Sequence, residues 1–240
     1  MNPRHDTATP TLSVMDPRMQ VIRNVAYYRH PDQPAIEPRI TRRAFDAAGR
    51  LVESWDPRLW GAAPKPNLGT IYGLSDQALL TDSVDAGWQL SLLDQAGSLC
   101  WFWDSRGSQR QCEYDDQQRP ITVTEQARGE PPNVVERLTY AGADKAFARH
   151  NQCGQLIRHD DPAGNQVFND YGLAGTVLVE SRRFLSDLET PDWPLDLNAR
   201  DELLEAHSFV TRHRFNPTGE LRRQTDAMGN VRTFHHDVAG

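Results

Sequence analysis

The stretch HRFNPTGELRRQTDAMGNVRTFHHDVAG, His213 to Gly240, sets glycine at positions 219, 229 and 240, ten and then eleven residues apart. The same steps return in CGQLIRHDDPAGNQVFNDYGLAG, with Gly154, Gly164 and Gly175. LDQAGSLCWFWDSRG repeats the shorter step, placing Asp94-x-x-Gly97 ten residues before Asp104-x-x-Gly107. FDAAGRLVESWDPR opens on Asp46-x-x-Gly49 and closes on Asp56-Pro57. A period of about twenty-one residues that appears at separated places is an internal repeat.

Half a period has room for a strand of about five or six residues and a four-residue turn. Aspartate suits the first turn position because its carboxylate accepts backbone amides ahead of it. Glycine suits the fourth because it takes the left-handed conformation that closes a type I turn with a bulge. Each glycine therefore marks a hairpin corner. Between corners, Val231, Thr233 and His235 alternate with Asn230, Arg232 and Phe234, and neither set is strongly apolar. Such strands make broad sheets with wetted faces.

Residues 1–20, with Pro3, Pro10 and Pro17, read as an arm, and residues 21–240 as the repeat segment. Val21 to His30 alternates as a strand does, and Pro31, Pro34 and Pro38 are expected to end it, so that a new element begins at Arg39. AGADKAFARH, around Lys145, has few strand formers and reads as a short helix or a long loop. A helical insertion is expected near 198–207, with Asn198 as its cap, Asp201 and Glu202 at its positive end, and Leu203, Leu204 and Ala206 as a small apolar face.

Composition sets the outer bounds. The 240 residues carry a net charge of −7, 38% apolar residues and six tryptophans, with mean hydropathy −0.66 and a pI near 5.6. The aromatic content is too high for a disordered chain, and the negative field argues against nucleic acid as a partner. No stretch nears the eighteen or so apolar residues of a membrane span, and MNPRHDTATPTLSV lacks the apolar run of a secretory leader. Synthesis without a removable Sec leader is expected. Cys100, Cys112 and Cys153 fit reduced thiols better than a disulfide framework, although Cys100 and Cys112 could meet across a hairpin.

Sites of chemistry are sparse. His235 and His236 are adjacent on a strand, so they point to opposite faces and cannot easily share a metal ion. His159 stands beside Asp160 and Asp161, as an acid/base pair would, but Asp161-Pro162-Ala163-Gly164 is itself a repeat turn, which accounts for one carboxylate. The Asp-x-x-Gly corners lack the alternating ligands and terminal glutamate of a calcium loop. Ser98 and Ser105 lack any activating motif. CWFWD, Cys100 to Asp104, puts Trp101 and Trp103 on one face and Phe102 on the other, either as a strand buried on both sides or as a sugar-stacking platform. No catalytic, cofactor-binding or metal-ligating residue is assigned, and a non-enzymatic role is expected.

Phe45 to Arg58 and Phe215 to Gly240 closely resemble the repeat of RHS or YD-repeat proteins, YDxxGRLxxxxDPxGxxxxxYD. Val14 to Leu59 resembles the opening of the C subunits of insecticidal toxin complexes (Tc toxins). NVVERLTYAGADKA and NQCGQLIRHDDPAG, beginning at Asn133 and Asn151, resemble segments that follow in the same order there. The resemblance runs from about Val14 to Gly240. It implies an all-β fold of antiparallel YD-repeat hairpins, part of a spiralling β-shell or cocoon that a C subunit completes with a B subunit. In that family the cocoon holds a toxic effector, released by self-cleavage and passed through an A-subunit channel. The self-cleaving region and effector have no counterpart in this sequence, so neither activity carries over. The resemblance implies a B-type partner and, through it, an A-type channel subunit, with release as part of a toxin complex and no membrane insertion by this chain. Ending inside a repeat, the strip is expected to pair with further strands or to self-associate. A stand-alone glycan-binding module using Trp88, Trp101 or Trp103 is the alternative reading.

Overall fold

The turn predicted from Asp-x-x-Gly recurs along the whole chain in the computed structural model, which describes residues 8–30, 33, 35–61 and 65–236. Eight turns among the described residues, starting at Asp16, Asp46, Asp94, Asp104, Asp115, Gly172, Asn216 and Asp226, share one backbone pattern. In each, the first residue donates to the carbonyl four residues on, and the fourth residue donates back to the first. The fourth residue is left-handed in all eight, with φ between +61° at Gln118 and +90° at Gly49.

Except in the turn that starts at Gly172, the first residue also has a side-chain oxygen to complete the turn. Asp104 Oδ1 accepts the amides of Arg106 and Ser108, and Asp115, Asn216 and Asp226 repeat this with the second and fourth residues after them. These bonds favour the ionised carboxylate. The Ser108 amide foremost holds Asp104 below the usual carboxylate value, and the Arg50 amide does the same for Asp46.

The turns join strands into two units, 1–109 and 110–240. In the first unit the strands are β1 (Thr11–Met15), β2 (Val21–Arg29), β3 (Ile36–Phe45), β4 (Leu51–Trp55), β5 (Leu68–Tyr72), β6 (Ala78–Ser83), β7 (Gly87–Leu93) and β8 (Leu99–Asp104). Each pairs antiparallel with the next. The register slips by one residue just before a turn, between Ala44 and Phe45 and between Leu92 and Leu93 for example, which is the bulge that such a turn requires.

The second unit continues the pattern with β9 (Gln109–Tyr114), β10 (Pro120–Gln126), β11 (Asn133–Tyr140), β12 (Leu156–Asp161), β13 (Gly164–Tyr171), β14 (Val177–Phe184), β15 (Phe209–Phe215), β16 (Leu221–Thr225) and β17 (Val231–Thr233). Only the first residue of β9 belongs to the other unit. Consecutive strands again pair antiparallel. Two short helices interrupt the strip, α1 (Lys145–Ala148) and α2 (Leu197–Glu202).

The Gly-Arg-Leu and Tyr positions of the repeat have a joint purpose. Arg50 binds Asp46 through Nε at 2.7 Å and reaches the Gly73 carbonyl and Asp76 in the next turn along the edge. Its guanidinium lies over the Tyr72 ring, and the Tyr72 hydroxyl donates to the Leu51 carbonyl. Arg119 repeats the device with Asp115, the Gly154 carbonyl and the Tyr140 ring. One arginine therefore ties its own turn to its neighbour and covers an aromatic face, which an apolar residue could not do.

The core is thin. Among the described residues, Trp55 is the buried apolar side chain of the first unit, under the Arg42 guanidinium, and the second unit buries Val123, Val135, Ala141, Tyr171, Trp193 and Leu204. Trp193, 1% exposed, contributes about 4 to 6 kcal/mol by area.

Four local expectations are corrected. Thr11–Met15, placed in the arm, is strand β1 and pairs along β2, because Ser13 can bond Asn24 across the pair. Pro38 does not separate two elements; it lies inside β3 opposite Tyr27, and β3 starts at Ile36. Asn198 lies within α2, whose cap is Asp196 accepting the Ala199 amide, and the helix ends at Glu202. Gly164 does close the Asp161–Gly164 hairpin with a positive φ of +140°, but as the first residue of β13 paired with Asp161 rather than as a bulge residue ahead of the strand, and an added Cβ there would fall 2.1 Å from the Arg183 carbonyl. Pro31, Pro34 and Gly240 lie outside the described residues.

Candidate functional site

The segment between β14 and β15 folds back over one face of the second unit. It is fixed first by backbone: the Trp193 amide donates to the Val134 carbonyl, and Asp192 accepts the Val134 amide. Trp193 Nε1 donates to the Asp161 carbonyl, and Arg137 Nε donates to the Trp193 carbonyl at 2.7 Å. A Leu185 to Leu204 bridge closes the base of the insertion.

Beneath it lies a buried ion network. Asp160 is 0% exposed and accepts Arg158 Nε on one oxygen and Arg200 Nη1 on the other, each at 2.7 Å. Arg158 also holds Asp201 of α2 at 2.8 Å. Buried charges are tolerated when each has partners of this kind. Asp160 thereby clamps the insertion to the sheet.

That arrangement dissolves the acid/base reading of His159. As its neighbour along β12, His159 faces the opposite side and bonds Glu136 at 2.9 Å, while Glu136 also meets Arg110. Asp161 turns to Arg182, whose two nitrogens lie 2.6 and 2.7 Å away. Burial opposes its ionisation, but Arg182 and the Ala163 amide hold its carboxyl below the ordinary range. The three residues that sit together in sequence have three separate structural partners.

The other candidates divide likewise. His236 bonds the Leu221 carbonyl. Among the described residues no group of three His, Cys, Asp or Glu side chains could hold a metal ion. Cys100, Cys112 and Cys153 are free thiols. Trp101 and Trp103 stack on each other at 5.5 Å with planes 4° apart, and every residue of β8 is half-buried, neither sealed on both sides nor fully open. Their mutually facing ring surfaces are not available to a sugar. Trp88, 41% exposed, stands on β7 alongside. No helix of the described residues is long and apolar enough to cross a membrane.

Sequence reasoning missed Arg137, Arg158 and Arg200. Their one signal is position: Arg137 and Arg158 fall at mid-strand, each with an apolar neighbour on one side, Leu138 and Ile157.

A strip of hairpins with Asp-capped turns and arginine-tied corners defines a repeat-built structural protein. Comparison with known proteins supplies the family. The chain is 36% identical over 242 residues to the toxin subunit YenC1 of Yersinia entomophaga, and 33% identical over 253 residues to YenC2 of the same organism. Both matches cover 97% of this chain, which spans only 25% and 26% of those relatives. Among solved structures, TcdB2-TccC3 without its hypervariable C-terminal region superposes with a TM-score of 0.88 at 34% identity, over 98% of this chain and 12% of that one. A Photorhabdus luminescens Tc holotoxin pore containing TccC3 gives 0.89 at 35% identity, over 98% and 11%. A scan against protein-family profiles finds no match. Over 97% of its length the chain is thus similar to toxin subunits YenC1 and YenC2, and it shares its antiparallel β fold with the RHS-repeat TcdB2-TccC3 structures; a structural role is what this likeness supports.

Proposed function

We propose that this chain is a non-catalytic section of shell wall, equivalent to the N-terminal portion of a C subunit, which pairs with a B-type subunit and further repeats to enclose a toxic effector. The observation that carries the reading is the open strip. Among the described residues, β1 pairs with β2 alone within the first unit, and β17 with β16 alone within the second. Unpaired strand edges invite another strand. Relatives solved as TcdB2-TccC3 and within a Tc holotoxin pore support a B-type subunit and, through it, an A-type channel as the partners. Release as part of such a complex is the route that the toxin-subunit relatives support.

Size-exclusion chromatography with light scattering tests the pairing. A complex with a co-expressed B-type subunit is expected, whereas a monomer indifferent to that subunit refutes it. Trp88 gives the glycan-binding alternative its one exposed ring; a glycan-array signal abolished by Trp88→Ala would favour that reading over the shell.

A further inference from the structure

The insertion of the second unit does not lie flush on the sheet. It leaves a cavity of about 310 Å³ whose walls include Asp115 and Arg119 of one turn, Thr122 and Arg137 of β10 and β11, Tyr140, and Arg200 of α2. Three guanidinium groups line this space against one carboxylate.

Their partners differ in kind. Arg119 is neutralised by Asp115 at 2.6 Å, and Arg200 by Asp160 below the cavity. Arg137 has no carboxylate within ion-pair distance among the described residues; it donates to the Trp193 carbonyl and, at 3.5 Å, to the Thr122 hydroxyl. Arg200 Nε is buried without a hydrogen-bond partner. A half-buried cation with only neutral acceptors is costly to keep charged. Burial, and next the charge of Arg200, push the Arg137 guanidinium below its ordinary value.

We propose that this cavity is an oxyanion site in which Arg137, aided by Thr122 and Arg200, binds a carboxylate or phosphate group. A guanidinium offers a planar fork of donors that matches two oxygens of such a group at once. The stem of Arg137 is pinned through Nε to the Trp193 carbonyl, so the fork is held in place before a ligand arrives. Leu138 and Leu195, which also line the cavity, add apolar contact for a short carbon stem. The volume admits an acidic side chain as well as a free phosphate. The site is complete within one unit and does not depend on shell assembly.

The test is NMR of the arginine Nε–H resonances in the whole chain, titrated in separate arms with inorganic phosphate and with N-acetyl-glutamate amide, and with chloride as control. Saturable movement of the Arg137 signal with a dissociation constant of about 1 mM or tighter is expected for at least one oxyanion and not for chloride. The stronger arm tells whether phosphate or a peptide carboxylate is the better ligand. Arg137→Gln should weaken the response, read on Arg200, at least about tenfold, while Arg149→Gln, on the exposed end of α1, should leave it intact. If Arg137→Gln fails to fold, Thr122→Val, which exchanges the hydroxyl for a methyl group of similar size, is expected to weaken binding in the same direction. A linear, non-saturating response in both oxyanion arms, or one that chloride reproduces, overturns the proposal.

Discussion

Replacing Asp160 by alanine removes the anion that buried Arg200 and half-buried Arg158 share. Arg158 Nε and Arg200 Nη1 each lose a 2.7 Å bond to it. At roughly 1.5 to 3 kcal/mol for a bond to a charged group, the loss comes to about 3 to 6 kcal/mol. That agrees with the 3 to 5 kcal/mol typical of breaking a buried pair from one side. Arg158 keeps Asp201 as a partner, whereas Arg200, 6% exposed, is left with the Leu195 carbonyl. Most of the cost therefore falls on Arg200, and removing it too should recover part of the loss. Urea unfolding of Asp160→Ala, Arg200→Met and the double variant is the assay. The expected result is a loss of about 4 kcal/mol for Asp160→Ala and a double variant more stable than the sum of the singles by roughly 1 to 3 kcal/mol. A loss below about 1 kcal/mol, or simple additivity, would refute the clamp.

Gly164→Ala forces a Cβ to within 2.1 Å of the Arg183 carbonyl, at φ +140°, and should cost about 3 kcal/mol or more; melting of the variant checks this, and an unchanged Tm contradicts it. Stability should also fall in acid. Asp46, Asp104, Asp115 and Asp226 titrate below the model-compound value of 3.8 when folded. Their contribution is thus complete above that value and is lost as pH falls through the lower folded ones. Thermal melts from pH 7 to about pH 2.5 should show Tm dropping in that window, and Asp46→Asn should shrink the drop. A flat profile contradicts the capped-turn account.

Much of this fold was legible because its turns are chemically demanding. Asp94, Asp104 and Gly229 stand where a carboxylate must meet amides or a residue must turn left-handed, and few side chains can do either. The rule loosened where Met19, Asp76 and Gln118 accept a positive φ without being glycine, so the spacing of glycines undercounts the corners. Pro38 misled because a proline ends a strand only where its missing N–H was needed, and β3 tolerates it beside Tyr27. The Arg137, Arg158 and Arg200 cluster was illegible for a different reason. Its members come from β11, β12 and α2, and no local pattern shows that an insertion folds back to bring them onto one face. His159, Asp160 and Asp161 show the converse: adjacency in a strand sends neighbours to opposite sides.

The shell reading turns on the free strand edges, and hydrogen exchange reads them amide by amide. Exchange of the β1 and β17 amides should be measured in the chain alone and with a B-type subunit present. Strong new protection confined to an edge strand, with β5 to β7 unchanged, is the expected result. Edge amides that exchange equally fast with and without the partner, while the partner itself remains folded, would contradict the assignment of this chain as a section of shell wall.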